Sequence, residues 1–313
     1  MSMTPRERYY WDLTGHLVLR GVLTPDEVDA GNAALDHAAE RIENGTDAYS
    51  ESLRKDSNPK WLNGTWVRTR PDTPFLLMLK SPHCDLWRRL LAHPEIVPRM
   101  NAMCGPGFRL DSGPVYIGGV VGTHIHKLHG AGEPHKPYVG YHATSGAGFA
   151  GAVTVAYLLT DAGPDDGGFA CAPGSHKARY PIPPGVRTTE EDLGCVEKPS
   201  LKAGDALFFM DGALTHGARP WLAAHPRRTV LYKYACRTAA RRGTALTNLE
   251  PRMQWDDDVI QGMPAEQRAV MYGPSSSPQT DSPYLQVSDE GVVSVDHAYL
   301  PSLKTHSDTF VAG

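Results

Sequence analysis

The chain is 313 residues long, 41% hydrophobic and 21% charged, with a formal net charge of −4 at pH 7. That composition supports a real buried core, and the interspersed charges exclude the basic face of a nucleic-acid polymer binder. Five cysteines (Cys84, Cys104, Cys171, Cys195, Cys236), odd in number and without CxxC pairing, exclude a disulfide framework and a zinc site and match a reducing cytoplasm.

The opening, MSMTPRERYYWD, is too polar for a signal peptide. No apolar run approaches the roughly 18 residues of a membrane helix, so a soluble cytoplasmic protein is expected, with no membrane partner. The first hundred residues read as mainly helical. Thr24-Pro25-Asp26-Glu27 is a capping box with Pro at the first helical position. Behind it Val28, Leu35, Ala38 and Ile42 form one helical stripe until Asn44-Gly45 stops it. Gly31 lies on the same stripe and weakens its helix propensity. Tyr49 to Pro74 is polar and contains Pro, and reads as a loop over an active site. Further helices are expected from Asp85 to Ala92 and from Glu95 to Met103, the latter ending at Cys104-Gly105-Pro106.

From Val115 the period changes. Val115–Ile117, Ala152–Leu159, Ala206–Met210 and Thr229–Tyr234 are short, β-branched or aromatic, and mostly flanked by Gly, Pro or Asp, as strands are. The 31 Gly and 26 Pro suit many short strands joined by tight turns. Strands without long intervening helices predict a sandwich or jelly roll. The tail holds a helix candidate, Pro264 to Met271, and a Ser/Pro loop, Gly273 to Pro283. No repeat or linker divides the chain. One domain over 1–313 is expected, with a helical part over 1–110, a β core over 111–237 and a C-terminal extension over 238–313.

The strings Leu158-Leu159-Thr160-Asp161, Asp165-Asp166-Gly167-Gly168-Phe169, Pro173-Gly174-Ser175-His176-Lys177, Ala203-Gly204-Asp205, Thr215-His216-Gly217 and Arg227-Arg228-Thr229 follow one another in a fixed order. In order and spacing they resemble the phytanoyl-CoA dioxygenase-like family of Fe(II)/2-oxoglutarate enzymes, well over 115–236 and loosely before it. The resemblance implies a mainly β chain with helical additions around a double-stranded β-helix (jelly roll, cupin-like) core. It also implies Fe(II), 2-oxoglutarate and O2 as cofactors. Such an iron site needs two His and usually one carboxylate, with open positions for co-substrate and O2. His216 follows a strand and turn and is the first candidate. Arg227 comes 11 residues later, and strand alternation puts Thr229 on its face and Arg228 on the other. A guanidinium beside a hydroxyl suits the distal carboxylate of 2-oxoglutarate, so Arg227 and Thr229 are the candidate co-substrate residues. Arg228 is the rival, with a surface salt bridge as its plainer role.

The other half of the ligand set should lie between Val115 and Val153, where the family has His-x-Asp or His-x-Glu. Neither occurs there; His83-x-Asp85, His93-x-Glu95 and His306-x-Asp308 lie outside the barrel region and read as chance matches. The candidates in the window are His124, His126, His129, His135 and His142. Leu128-His129-Gly130-Ala131 aligns best, with Ala131 where the carboxylate should be. By resemblance to the halogenases of this chemistry, a small residue there leaves room for chloride at the iron, with Gly130 and Ala131 forming the halide site. His129 and His216 are then the metal ligands, and a small-molecule substrate is chlorinated at an unactivated carbon. Nucleotides are among the substrates of such halogenases, with the 2′ carbon of a deoxyadenosine nucleotide as the specific expectation. The alternatives are a hydroxylase whose third ligand is displaced to Glu133 or His135, and a non-catalytic cupin-like binding protein. Trp66, Trp87 and Trp221 read as core packing, and Asp165-Asp166-Gly167-Gly168 as a turn. Arg237, Arg241 and Arg242 read as a solvated basic face or, with His135-Lys136 and Lys177–Arg179, as a phosphate clamp.

Overall fold

The computed structural model describes residues 3–55, 61–62, 65–67, 75–123, 126–130, 139–144, 147–239, 250–253, 255–274 and 283–296. In chain order the strands are β1 (His16–Leu19), β2 (Trp61–Leu62), β3 (Thr65–Trp66), β4 (Arg109–Gly119), β5 (His126–His129), β6 (Tyr141–Thr144) and β7 (Ala147–Ala150). They continue as β8 (Ala152–Leu158), β9 (Gly168–Cys171), β10 (Ala206–Met210), β11 (His216–Arg219), β12 (Arg227–Ala235), β13 (Tyr284–Val287) and β14 (Val293–Asp296). A larger sheet runs β1-β10-β8-β12-β4 and a smaller one β5-β11-β9. Every neighbouring pair in both is antiparallel. This is a double-stranded β-helix. The pairs β2–β3, β6–β7 and β13–β14 are separate ribbons.

Alternation along the strands decides what each face meets. On β12, Arg227, Thr229, Leu231 and Lys233 face the barrel cavity, joined by Val115, Ile117, Ala156, Leu158, Leu207 and Phe209 from its neighbours. The other face of β12 is buried under helices, and its tyrosines are tied to them. Tyr232 Oη donates to Trp87 O at 2.7 Å and Tyr234 Oη to Leu91 O at 3.1 Å. Each such bond contributes roughly 1 kcal/mol while satisfying a buried hydroxyl. The helices concerned are α4 (Asp85–Leu90) and the turn after it, with α5 (Val97–Cys104) following.

Helix α1 (Pro5–Thr14) precedes β1, and α2 (Pro25–Asn44) lies across the outer face. The Thr24–Glu27 capping box forms in full, and Gly31, Ala34, Leu35, Ala38 and Ile42 are buried. Gly31 has a packing reason: a Cβ there would stand 2.9 Å from Leu159 Cδ2 and 3.0 Å from Leu86 Cδ2. The helix gives up some propensity to come close to the barrel.

Two features depart from the sequence expectation. Within the stretch read as a loop, residues Ala48–Lys55 form a helix, α3. Within the part read as mainly helical, β1 forms the edge of the larger sheet, with His16 opposite Phe209 and Leu19 opposite Ala206. Residues 56–60, 63–64 and 68–74 of the expected active-site loop lie outside the described residues. Among the described residues no helix is long and apolar enough to cross a membrane.

Candidate active site

β5 and β11 pair so that His129 and His216 are direct Cα partners. Their rings stand 4.5 Å apart between centroids. Glycines allow the approach. Gly130 has φ +105°, and a Cβ there would collide with the Leu214 carbonyl oxygen; a Cβ at Gly217 would lie 2.8 Å from Lys127 O. His216 Nδ1 lies 2.8 Å from Leu214 O, and His129 Nδ1 lies 2.9 Å from Lys127 O. A carbonyl oxygen only accepts, so each Nδ1 carries a hydrogen. Two imidazoles held through Nδ1 by a backbone partner are oriented as metal-binding histidines commonly are. His216 is buried against Phe209 and Phe169, with centroids 4.5 and 6.3 Å away. Burial, and then the neighbouring His129, push its pKa down to about 3.

The start of β11 is pinned by Pro173-Gly174-Ser175-His176-Lys177. Ser175 Oγ accepts from Thr215 N–H at 2.7 Å, and Ala172 N–H donates to Thr215 O at 2.9 Å. His176 Nε2–H donates to Asp12 O at 3.0 Å, tying the segment to α1. This string thus holds His216 in place from the neighbouring residue, without itself lining the cavity.

Arg227 lies opposite Gly119 and points into the cavity. It is 9% exposed, and burial lowers its pKa to about 10. Among the described residues no carboxylate pairs with it. Thr229, two residues on and facing the same way, has a buried hydroxyl with no hydrogen-bond partner among the described residues. An uncompensated buried guanidinium beside an orphaned hydroxyl fits an incoming carboxylate, which satisfies both. Arg228 points to the outer face, pairing with Asp36 and donating to Asn32 Oδ1 at 3.1 Å.

Sequence reading missed a second polar pair, beside His216, of which Lys233 lines the cavity. Asp211, in the turn between β10 and β11, is 4% exposed. Its Oδ1 lies 3.9 Å from His216 Nε2, and its Oδ2 lies 3.2 Å from Lys233 Nζ. Lys233 shares the parity of Arg227 on β12, so alternation alone could have found it. Asp211 had only its place five residues before His216 as a signal. The cavity holds about 950 Å3, counting its open mouth.

The remaining candidates are scattered. Ala131, Glu133, His135 and His124 lie outside the described residues, as do Lys136, Arg241, Arg242 and His306. His142 sits on β6, away from the cavity lining. His83 stacks on His37 with centroids 4.0 Å apart, and His93 is buried among the N-terminal helices. Trp66, Trp87 and Trp221 are buried. Arg237, expected on a solvated face, is instead 5% exposed and donates to Pro283 O at 3.4 Å. Lys177, expected near the mouth, pairs with Asp12 at 3.3 Å.

A jelly-roll barrel with two facing histidines and a buried arginine that no carboxylate pairs with among the described residues resembles the layout of a non-haem iron enzyme that uses a 2-oxo acid. The sequence matches the profile of the phytanoyl-CoA dioxygenase (PhyH) family over residues 11–229, and the chain belongs to that family. It is therefore a non-haem iron, 2-oxoglutarate-dependent dioxygenase-type enzyme, which sets aside the non-catalytic cupin-like reading. No curated protein sequence matches. Among solved structures it is similar to HygX from Streptomyces hygroscopicus with nickel and 2-oxoglutarate bound. The TM-score is 0.57 at 21% identity, over 79% of this chain and 96% of that one. AviO1 from Streptomyces viridochromogenes Tue57 follows at 0.51 and 19%, over 77% and 98%. The non-haem alpha-ketoglutarate-dependent carbocyclase SnoK from nogalamycin biosynthesis gives 0.51 and 18%, over 78% and 88%. At these identities the likeness is one of fold.

Proposed function

We propose that this enzyme functionalises a C–H bond of a small molecule, with His129 and His216 holding Fe(II) through Nε2 and Arg227 with Thr229 holding 2-oxoglutarate. The observation that carries this is the buried guanidinium of Arg227 beside the orphaned Thr229 hydroxyl. Leaving such a charge uncompensated costs several kcal/mol, so the pair is built for a dicarboxylate supplied from outside. Iron with its co-substrate supplies the O2 activation that makes an unactivated carbon reactive, releasing succinate and CO2. The chain's own residues position and shield. The carbonyls of Leu214 and Lys127 fix the imidazole tautomers, and Phe169, Phe209 and Leu207 keep water from the cavity wall. HygX has been solved with hygromycin B bound, which supports a small molecule as the substrate class.

Oxygen transfer is the outcome that the match to the phytanoyl-CoA dioxygenase family supports. Halogen transfer is the second reading, favoured by the sequence His129-Gly130-Ala131. There the small Ala131 would leave the iron open to chloride, and a nucleotide chlorinated at its 2′ carbon is the finer form of that reading. The test is anaerobic addition of Fe(II) and 2-oxoglutarate, followed by O2 with and without chloride and a panel of small metabolites. Oxygen- and 2-oxoglutarate-dependent succinate formation is expected, with products heavier by one oxygen. A chlorine isotope pattern would favour the second reading. Failure of 2-oxoglutarate to bind the Fe(II) protein would overturn both.

A further inference from the structure

We infer that Lys233, with Thr154 beside it, recognises an acidic group on the substrate, a carboxylate or a phosphate ester. The inference deepens the proposed function and rests on it: the histidines hold the metal, and Arg227 with Thr229 holds 2-oxoglutarate. Once those four residues have their tasks, Lys233 is the polar side chain that remains in the cavity lining among the described residues. The rest of that lining is apolar. A molecule entering beside the co-substrate therefore meets an apolar wall with an ammonium set into it.

Lys233 stands at the end of the cavity that the co-substrate anchor leaves open. Arg227 and Lys233 share one face of β12, six residues apart, which is roughly 20 Å of strand. The Asp211 carboxylate meets Lys233 Nζ through Oδ2 at 3.2 Å and lies 3.9 Å from His216 Nε2 through Oδ1. One carboxylate's breadth thus separates the ammonium from the His216 ring, away from Arg227. A substrate held there has its neighbouring carbons near the histidine pair.

Pairing with Asp211 holds the lysine in place and leaves it free to bind. An ammonium has three donors, and Asp211 takes one of them. Exposure of the pair is one-sided: the Lys233 side chain is 27% exposed and that of Asp211 5%. An arriving ligand meets the cation and not its countercharge. Thr154 supplies a second donor. It is the direct Cα partner of Lys233 on one side and of Phe209 on the other, so it shares their inward face. Its hydroxyl is buried, with no hydrogen-bond partner among the described residues. A buried hydroxyl is unfavourable until an acceptor meets it, and an acid held by Lys233 is such an acceptor.

Co(II), as a stand-in for Fe(II), tests this without turnover. Calorimetry on the protein loaded with Co(II) and 2-oxoglutarate would compare hexanoate, hexyl phosphate and 1-hexanol, which share a tail and differ in head group. At least one acid should bind wild type roughly 10-fold or more tightly than the alcohol, and the better acid tells carboxylate from phosphate ester. Lys233→Met should erase that preference and Lys233→Arg should keep it. Thr154→Val should weaken the acid by roughly 3-fold and leave the alcohol unchanged. No head-group preference in wild type, or a full preference in Lys233→Met, would overturn the inference. So would loss of 2-oxoglutarate binding in Lys233→Met, which would give the lysine to the co-substrate. Arg227→Ala separates the two levels: undiminished 2-oxoglutarate affinity in that variant overturns the co-substrate reading itself. Should Lys233→Met fail to fold, Lys233→Gln, which removes the charge and keeps a donor for Asp211, takes its place.

Discussion

At the scale of single residues, parity on β12 makes a clean contrast between two neighbouring arginines. Arg227 has no carboxylate partner among the described residues and faces the cavity, whereas Arg228 is tied to Asp36 and Asn32 outside. Arg227→Ala should weaken 2-oxoglutarate binding to the Fe(II) protein by roughly 2–5 kcal/mol, the cost of leaving a desolvated carboxylate without its partner. Arg228→Ala should leave that binding unchanged. Anaerobic titration of 2-oxoglutarate into each variant checks both, and the reverse ranking would place the co-substrate elsewhere. Gly130→Ala should lower stability by more than about 1 kcal/mol, since it combines positive φ with a collision at Leu214 O; urea unfolding measures it. The arginine pair was legible because alternation is a local rule. Asp211 was not, because its approach to His216 depends on how one turn folds back across the β10–β11 junction. The sequence search for an acid was also confined to the window from Val115 to Val153, where the resemblance placed it.

Among the elements, stability and site geometry separate in a testable way. Ser175 accepts from Thr215 N–H, one residue from His216. Ser175→Ala removes that acceptor, so it should cost about 1–3 kcal/mol and also weaken Co(II) binding. Thr24→Ala removes the cap of α2, on the far side of the barrel wall. It should cost about 1 kcal/mol and leave Co(II) binding alone. Urea unfolding and metal titration of the two variants distinguish a positioning contact from a merely stabilising one. The same contrast explains which elements sequence could supply. Helix α2 announces itself through Thr24, Pro25 and Glu27, and β8, β10 and β12 through apolar runs. The smaller sheet does not: β5, β9 and β11 are four residues each, and Gly and His carry little strand signal. Their pairing partners, distant in sequence, are what make them strands. Helix α3 was missed for a related reason, since its polar residues 48–55 look like the loop that follows.

For the whole molecule, buried neutral histidines set the acid limit. His16, His93 and His176 are all held below the ordinary value of 6.5, in each case first by burial. In the unfolded chain these rings take up protons near pH 6.5, while the folded chain resists until lower pH. The unfolded state therefore binds more protons in that window, and stability falls as pH drops from about 6.5 toward the depressed native values. Each histidine can contribute up to about 1.4 kcal/mol per pH unit there. Carboxylates such as Asp161, held down by hydrogen bonding to Lys202, act only at still lower pH. The expected outcome is a urea midpoint that is flat from about pH 7 to 8 and falls between about pH 6.5 and 5. Persistence of the full midpoint at about pH 5 would contradict it.

The placement of β1 at the edge of the larger sheet also bears on how the protein is made. Residues 20–205 lie between β1 and its partner β10. At roughly 5–20 residues per second, a ribosome takes about 10–40 s to cover that distance. Throughout that time the first strand has emerged without the surface it belongs to, and its open backbone is available to any passing strand. The barrel can close only after β12 leaves the exit tunnel, so the fold forms late and largely at once. A nascent chain arrested before residue 206 should accordingly remain sensitive to protease, and chaperone demand should fall sharply once residue 235 has cleared the ribosome.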